Sequence, residues 1–553
     1  MSPNAPKQQT LLSASALMAA GTVVSRLTGF VRAGLIVAAI GTSLNADVFS
    51  NANTIPNALY ILVAGGVFNV VLVPQLVRAM KNDADGGDAY GNRVVTLGLL
   101  VLLLATVALV AAVPLLVRLV FDGGLFDQRN AGARESAYAL MRYCIPQVFF
   151  YGAFVLVGQI LNARGRFGPM MWAPIVNNVL SCGVLGAYIY LYGSSDARDG
   201  FSTGQELLLG IGSTAGIALQ AAVLVPYLRR AGFRFSPRFD FRGVGMGHTL
   251  RLGLWTLLFI LANQVAFFVI NRIGSGATIN DTGGGAAGST VYGIAFLISQ
   301  VPHGVITVSI VTATMPLLSR LAADNAYADL RTELRRSLRL VSAAIIPLAI
   351  AVACLGQAVA TVVTGYGDKV GETRPIGYAI MAFAPAMVLF SVHYLMLRGF
   401  YAIENTRTPF LVQVWLSATN IVLAVTLAML APPDRVAMVL ALSYGGAYLV
   451  GGVLSTTLLS RRIGPVIDAS TWAYFVRVLL AGAVAAGVML ATYAGLTRAG
   501  LVVTDVGAAL VIVAAAGPLG ALAYLVAARV LRISEVGALA GALLGRRGRA
   551  TSG

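Results

Sequence analysis

Fourteen long apolar runs, separated by short polar breaks, leave this chain few ways to fold. A helix of about 20 apolar residues crosses the ~30 Å hydrocarbon core of a bilayer and satisfies its own backbone polar groups, which lipid cannot do. The runs cover 12–40, 46–77, 94–120, 137–162, 169–193, 205–228, 252–271, 289–319, 340–364, 376–402, 409–431, 433–459, 471–496 and 506–530. With 58% hydrophobic and 11% charged residues, the chain reads as an all-α polytopic membrane protein. The run from Leu11 to Ile40 is too long for the core of a cleavable leader, so the N-terminus is read as a retained helix.

Charge tests that count. If both termini face the cytoplasm, inner loops and tail carry 25 of the 39 Lys and Arg, and outer loops carry 9. Basic loops alternate with poor ones along the chain, as the positive-inside rule requires, and one missed helix would break the pattern. The net charge of +17 is therefore read as orientation and contact with anionic membrane lipid, with no nucleic acid implied. Cys144, Cys182 and Cys354 fall in separate apolar runs and read as small buried residues, not as metal ligands or a disulfide.

A repeat divides the first twelve spans. Pro74-x-Leu76-x-Arg78 ends the second span and Pro316-x-Leu318-x-Arg320 the eighth, 242 residues apart. Pro169 and Pro409 open the fifth and eleventh spans, and Asn178 and Asn420 follow them. Nearly one offset, 242, 240 and 242 residues, over an even number of helices predicts two six-helix lobes of like orientation, related by a pseudo-two-fold axis along the membrane normal. The expected division is 1–240 for helices 1–6, 241–460 for helices 7–12, and 461–553 for an extra helix pair and basic tail.

Arg26 and Arg32 lie inside the first span, where an arginine costs between ~3 and ~15 kcal/mol unless it meets water or an anion. Six residues of helix place the two about 120° apart, and Gly29 between them offers a bend that would turn both toward one cavity. The pattern suits a phosphate-bearing ligand; the bland readings are snorkelling to the interface or pairing with an acid such as Asp47. Asn53 and Asn57 share a face of the second span, and Arg142 and Arg398 are further cations in spans 4 and 10. Helix breakers collect in spans 2 and 8, at Pro56, Gly65 and Gly66, and at Gly293, Pro302 and Gly304, and are read as hinges. No intramembrane carboxylate pair, metal-ligand set or phosphate-binding loop stands out, so neither a catalytic residue nor a bound cofactor is expected. Coupling to Na⁺, H⁺ or membrane potential is left open; His393, inside span 10, reads more simply as a hydrogen-bonded structural residue.

These residues resemble a known family. Ser25-Arg26-x-x-Gly29-Phe30-x-Arg32, then Asp47, Pro56-Asn57, Gly66-x-Phe68 and Pro74, resemble the start of the MurJ/MviN lipid II flippases. Leu161-Asn162-Ala163-Arg164-Gly165-Arg166-Phe167 and Arg398-Gly399-Phe400-Tyr401-Ala402 fit two later turns. The family sits in the MATE-like multidrug/oligosaccharide-lipid/polysaccharide exporter superfamily. The resemblance implies fourteen helices, two six-helix lobes and a lipid groove made by the last two helices. It implies a non-enzymatic carrier in the bacterial plasma membrane that moves lipid II outward by alternating access for cell-wall synthesis, beside other cell-wall synthesis and division proteins. Arg26 and Arg32 would hold the diphosphate, and Asp47 would join the cavity. The sequence departs from the family where Tyr60, Gly65, Leu297 and Gln300 stand in place of charged residues. Alternatives are a sister exporter of lipid-linked polysaccharide or drugs, a membrane glycosyltransferase using the same lipid, or a scaffold. Arginines rather than acids argue against cationic drugs, and the lack of grouped outer carboxylates argues against the transferase.

Overall fold

The computed structural model describes residues 5–61, 85, 87–166, 168–194, 196–240, 246–281, 285–366 and 371–537. All regular structure among them is helical. Among the described residues, thirteen helices are long and apolar enough to cross a membrane, and α2 (Leu44–Ile61) is the described part of the remaining expected run. The rest of that run, with Gly65, Gly66, Pro74 and Arg78, lies outside the described residues.

The first compact unit comprises 1–284 and 288–290. It holds α1 (Ala5–Ile40), α2, α3 (Asp88–Ala111 and Val113–Val120), α4 (Ala131–Cys144 and Gln147–Ala163), α5 (Gly168–Tyr192), α6 (Thr203–Ala222 and Leu224–Arg230) and α7 (Met246–Asn280). The breaks have local causes. Pro114 opens the second part of α3, and Pro146 interrupts the backbone ladder of α4. The core of this unit sits toward one end, around Phe121, Leu140, Met141, Ile145 and Tyr188. Apolar side chains such as Leu104, Leu115 and Val179 stay exposed, as lipid-facing residues should.

Sequence position alone puts α7 in the second half, yet its C-terminal end is tied into the first unit. Gln264 donates to the Ala58 carbonyl at 2.8 Å, and Asn280 to the Asp122 carboxylate at 3.0 Å. Arg198 pairs with Asp281 at 3.1 Å and also donates to the Thr278 carbonyl at 2.7 Å. These bonds carry the helix to Asn280, nine residues past the end that hydropathy predicts at 271. Ser275, Thr278 and Asn280 lower the hydropathy of that stretch but find partners in the fold.

The second unit comprises 285–287 and 291–553. It holds α8 (Ser289–Pro302, a turn at His303–Thr307, then Val308–Ala323), of which Ser289 and Thr290 belong to the first unit. It continues with α9 (Tyr327–Thr364), α10 (Thr373–Ala402), α11 (Arg407–Leu430), α12 (Val436–Ile463), α13 (Ala469–Arg498) and α14 (Val506–Val530). The break at Pro432-Pro433 separates α11 from α12, so that stretch forms two helices as expected. Helix α9 starts thirteen residues before the predicted 340, because Leu330, Leu334 and Leu338 form a buried stripe at helical spacing. Helices α13 and α14 pack on each other and on α9 through Tyr474, Val478, Ala481, Ile512 and Ala516.

Candidate substrate site

Helix α1 runs unbroken through Gly29 and carries Arg26 and Arg32 on its middle. Arg26 is exposed and Arg32 half-buried. Neither makes an ion pair with a described residue. The helix shows no break at Gly29, and a Cβ there would sit at an ordinary contact distance, 3.8 Å, from the Asn178 amide nitrogen, so the packing does not require a glycine. Asn178, on α5, donates to the Ser25 carbonyl and to the Thr28 hydroxyl, both at 3.0 Å. Thr28 in turn donates to the carbonyls of Val24 and Ser25. The turn between the two arginines is thus braced from behind, while the guanidinium groups have no ion pair among the described residues.

The arginine partner expected for Asp47 is replaced by others. Asp47 is fully buried. Its carboxylate accepts from the Thr278 hydroxyl at 2.7 Å, from Ser289 N–H at 3.1 Å and from Thr290 N–H at 2.7 Å. The last two are first-turn amides of α8, which have no partner inside their own helix, and the carboxylate also meets the positive end of that helix. Gly288 is required beside it, since a Cβ there would lie 2.0 Å from a carboxylate oxygen. Among the described residues, these three donors stand where an arginine partner was expected.

Other predicted residues separate. Asn53 accepts from Gln147 at 2.9 Å and donates to the Phe49 carbonyl, so it joins α2 to α4. Asn57 is exposed. Asn51, fully buried, donates to the Ser289 hydroxyl at 3.0 Å. Arg142 is exposed at the end of the first part of α4. Arg398, in the second unit, bonds the Tyr394 hydroxyl and lies over the rings of Tyr394 and Tyr401, at 4.4 and 5.7 Å. Those rings offer cation–π contacts that hold its charge on its own helix. His393 faces the Gly451 carbonyl and the Ser455 hydroxyl, each at 3.2 Å.

Of the predicted hinge residues, Pro56 stays within α2, and Gly293 lies in regular helix. Pro302 and Gly304 mark a discontinuity: residues His303–Thr307 form a π-helical turn. Proline cannot donate to the helical ladder, and one surplus residue is looped into the turn. The turn is held by Ser391 of α10, which meets His303 Nδ1 at 2.9 Å and Thr307 Oγ1 at 3.1 Å.

The second unit also contains a cavity of about 1000 Å³, walled by α9, α10, α12 and α13. Its lining is apolar, with Ile350, Val388, Leu449 and Leu479, except near Thr457, Ser460 and Arg461 at one end. Among the described residues, no group of His, Cys, Asp and Glu could hold a metal ion.

Sequence reasoning missed the partners of these residues: Asn178, Thr278, Ser289 and Gln147. Asn178 had a visible signal, since it stands with Asn177 in an apolar run. Its counterpart Asn420 accepts from Ser443, so each asparagine joins helices within its own unit.

This architecture is that of a polytopic helical membrane protein. It resembles an inward-facing MATE-family multidrug transporter of the MOP superfamily, with TM-score 0.61 and 15% identity over 79% of this chain and 95% of that one. It resembles a solved lipid II flippase MurJ in an inward closed conformation more strongly, with TM-score 0.71 and 18% identity over 93% and 98%. The sequence profile described as "Lipid II flippase MurJ" matches residues 36–509, and the chain belongs to that family. Relatives named probable lipid II flippase MurJ include those of Haemophilus influenzae, 27% identical over 70% of this chain and 75% of its own, and of Vibrio cholerae, 26% identical over 87% and 89%.

Proposed function

We propose that this multi-pass membrane protein moves lipid II, the undecaprenyl-diphosphate-linked peptidoglycan precursor, from the inner to the outer leaflet of the bacterial plasma membrane by alternating access. Its termini lie in the cytoplasm and its work serves cell-wall synthesis. Membership of the family supports the cargo. The observation that carries the site is the pair Arg26 and Arg32: two cations on a membrane-spanning helix without an acidic partner among the described residues. A diphosphate cannot cross hydrocarbon unaided. Guanidinium groups shielded from bulk water attract it more strongly than they would in solution, and their fork geometry matches phosphate oxygens. Arg142, exposed on α4, is a secondary contact in the same unit, with Asn53 and Asn57 offered to sugar or peptide.

Asp47 takes a different part: it anchors the start of α8 rather than touching cargo. The hinge of α8 lies at Pro302 and Gly304, where the π-helical turn interrupts the helix. The test is complementation of lipid II flippase depletion, with Arg26→Ala and Arg32→Ala beside the unaltered chain, backed by flipping in reconstituted vesicles. Both variants are expected to insert normally and fail to transport. Normal transport by both would remove the site.

A further inference from the structure

After α6 the chain leaves the membrane-spanning region as a strap, 233–240, without helix or strand. Such a segment needs partners for its backbone groups. Asn92 of α3 supplies two of them, accepting from Ser236 N–H at 2.7 Å and donating to the Arg234 carbonyl at 3.4 Å. One turn further along α3, Thr96 accepts from Arg238 N–H at 3.0 Å. Arg93 pairs with Asp240 at 2.7 Å. At the near end, Phe233 is buried beneath the Arg164 guanidinium, which also donates to the Ala231 carbonyl and pairs with Asp88. The strap is therefore laid along α3 at several points.

What it turns outward is unusual for a solvated loop. Phe235 is 45% exposed and Phe239 68% exposed. Arg229, Arg230, Arg234 and Arg238 are exposed with them, and Arg166 is exposed on the α4–α5 turn. Asp88 and Asp240 are already paired with Arg164 and Arg93, and Asp85 feels the charge of Arg238. Positive charge remains in excess, next to two aromatic rings and directly after the end of a membrane helix. Basic clusters at such positions attract anionic lipid, and aromatic rings settle at headgroup depth.

We propose that this strap is a docking surface for the headgroups of anionic phospholipids in the bordering leaflet. Its pinning to α3 makes it a preformed surface, with Arg234 and Arg238 contacting phosphates and Phe235 and Phe239 entering the interface. The site is separate from Arg26 and Arg32, and its occupant is bilayer lipid rather than cargo.

The test uses the full chain in nanodiscs of phosphatidylcholine mixed with phosphatidylglycerol, without lipid II. Lipid retained after transfer to detergent is counted by native mass spectrometry. The unaltered protein is expected to retain phosphatidylglycerol over phosphatidylcholine. The double variant R234Q/R238Q should lower that preference about 25-fold, at roughly fivefold per arginine. F235S/F239S should lower it with all charges kept. N92A should lower it too, because it frees the strap without touching an outward side chain. Unchanged elution in size exclusion separates these effects from misfolding. Equal retention of the two lipids, or a preference indifferent to R234Q/R238Q, would overturn the proposal. So would displacement of retained phosphatidylglycerol by inorganic phosphate, which would assign the surface to free anions. Lipid retention is read without transport, so failure here leaves the flippase reading standing, and the reverse also holds.

Discussion

Asp47 and the pair Arg26 and Arg32 are charges in neighbouring helices of one apolar unit, and they are treated in opposite ways. Asp47 is sealed from solvent and meets three donors from α7 and α8. The arginines stand without ion pairs, on a helix whose polar braces are directed at its backbone rather than at their side chains. A buried charge that is hydrogen-bonded holds structure in place, whereas an accessible one without an ion pair is available for a ligand. Residue type and span position do not separate the two cases. The partners do.

The largest expected effect lies on the unsatisfied side. Arg26→Ala or Arg32→Ala should lower flipping in proteoliposomes about 100-fold, the loss of one or two charge-assisted hydrogen bonds to phosphate, with thermal stability in detergent unchanged. If stability fell and transport followed it, these arginines would belong with Asp47. On the satisfied side the order reverses. Asp47→Ala should cost about 3 kcal/mol of stability by removing a helix cap and leaving buried donors unpaired, while Asp47→Asn keeps an acceptor and should cost about 1. An unaltered melting temperature in Asp47→Ala would break the contrast. Asn178→Ala removes the brace behind the arginines. It should cost about 1–2 kcal/mol and weaken lipid II binding modestly, readable as a higher half-saturating lipid II concentration at a maintained maximal rate.

The smallest effect concerns a carboxylate outside the membrane. Asp468 caps α13 and pairs with Arg335 at 2.8 Å. The hydroxyls of Thr471 and Ser470, then Thr471 N–H, hold its carboxyl well below the usual carboxylate range. A carboxyl that binds its proton less readily when folded stabilises the fold above its unfolded value, about 3.9, and loses that contribution as pH falls toward the folded value. Asp468→Asn should therefore lower the melting temperature at neutral pH, with the difference from the unaltered chain shrinking below about pH 4. A difference constant with pH would mean that the asparagine side chain, not its lack of charge, is responsible.

The membrane-spanning helices were legible because hydropathy acts locally. Arg26 and Arg32 stood out as candidates because arginine in an apolar run is costly wherever the chain folds. Asp47 was not, since its partners Thr278, Ser289 and Thr290 lie more than 230 residues away and are ordinary polar residues in sequence. Helix α7 was foreshortened for the same reason. Its final turns are polar, and only the loops that meet them show that they remain helical. Arg398 was visible as a cation, but the tyrosines four residues before and three after it became meaningful only once their rings were seen beneath it.

The π-helical turn at His303–Thr307 carries a consequence for everything after it in α8. Each helical residue advances the direction of its side chain by about 100°, so one surplus residue re-aims the whole following segment. Which side chains between Val308 and Ala323 look inward is therefore set by a count of residues as much as by their chemistry. Removing a single residue from that turn would alter no other side chain, yet it would rotate the stripe carrying Val311 and Leu318 off its seat, like a key cut correctly and inserted at the wrong angle.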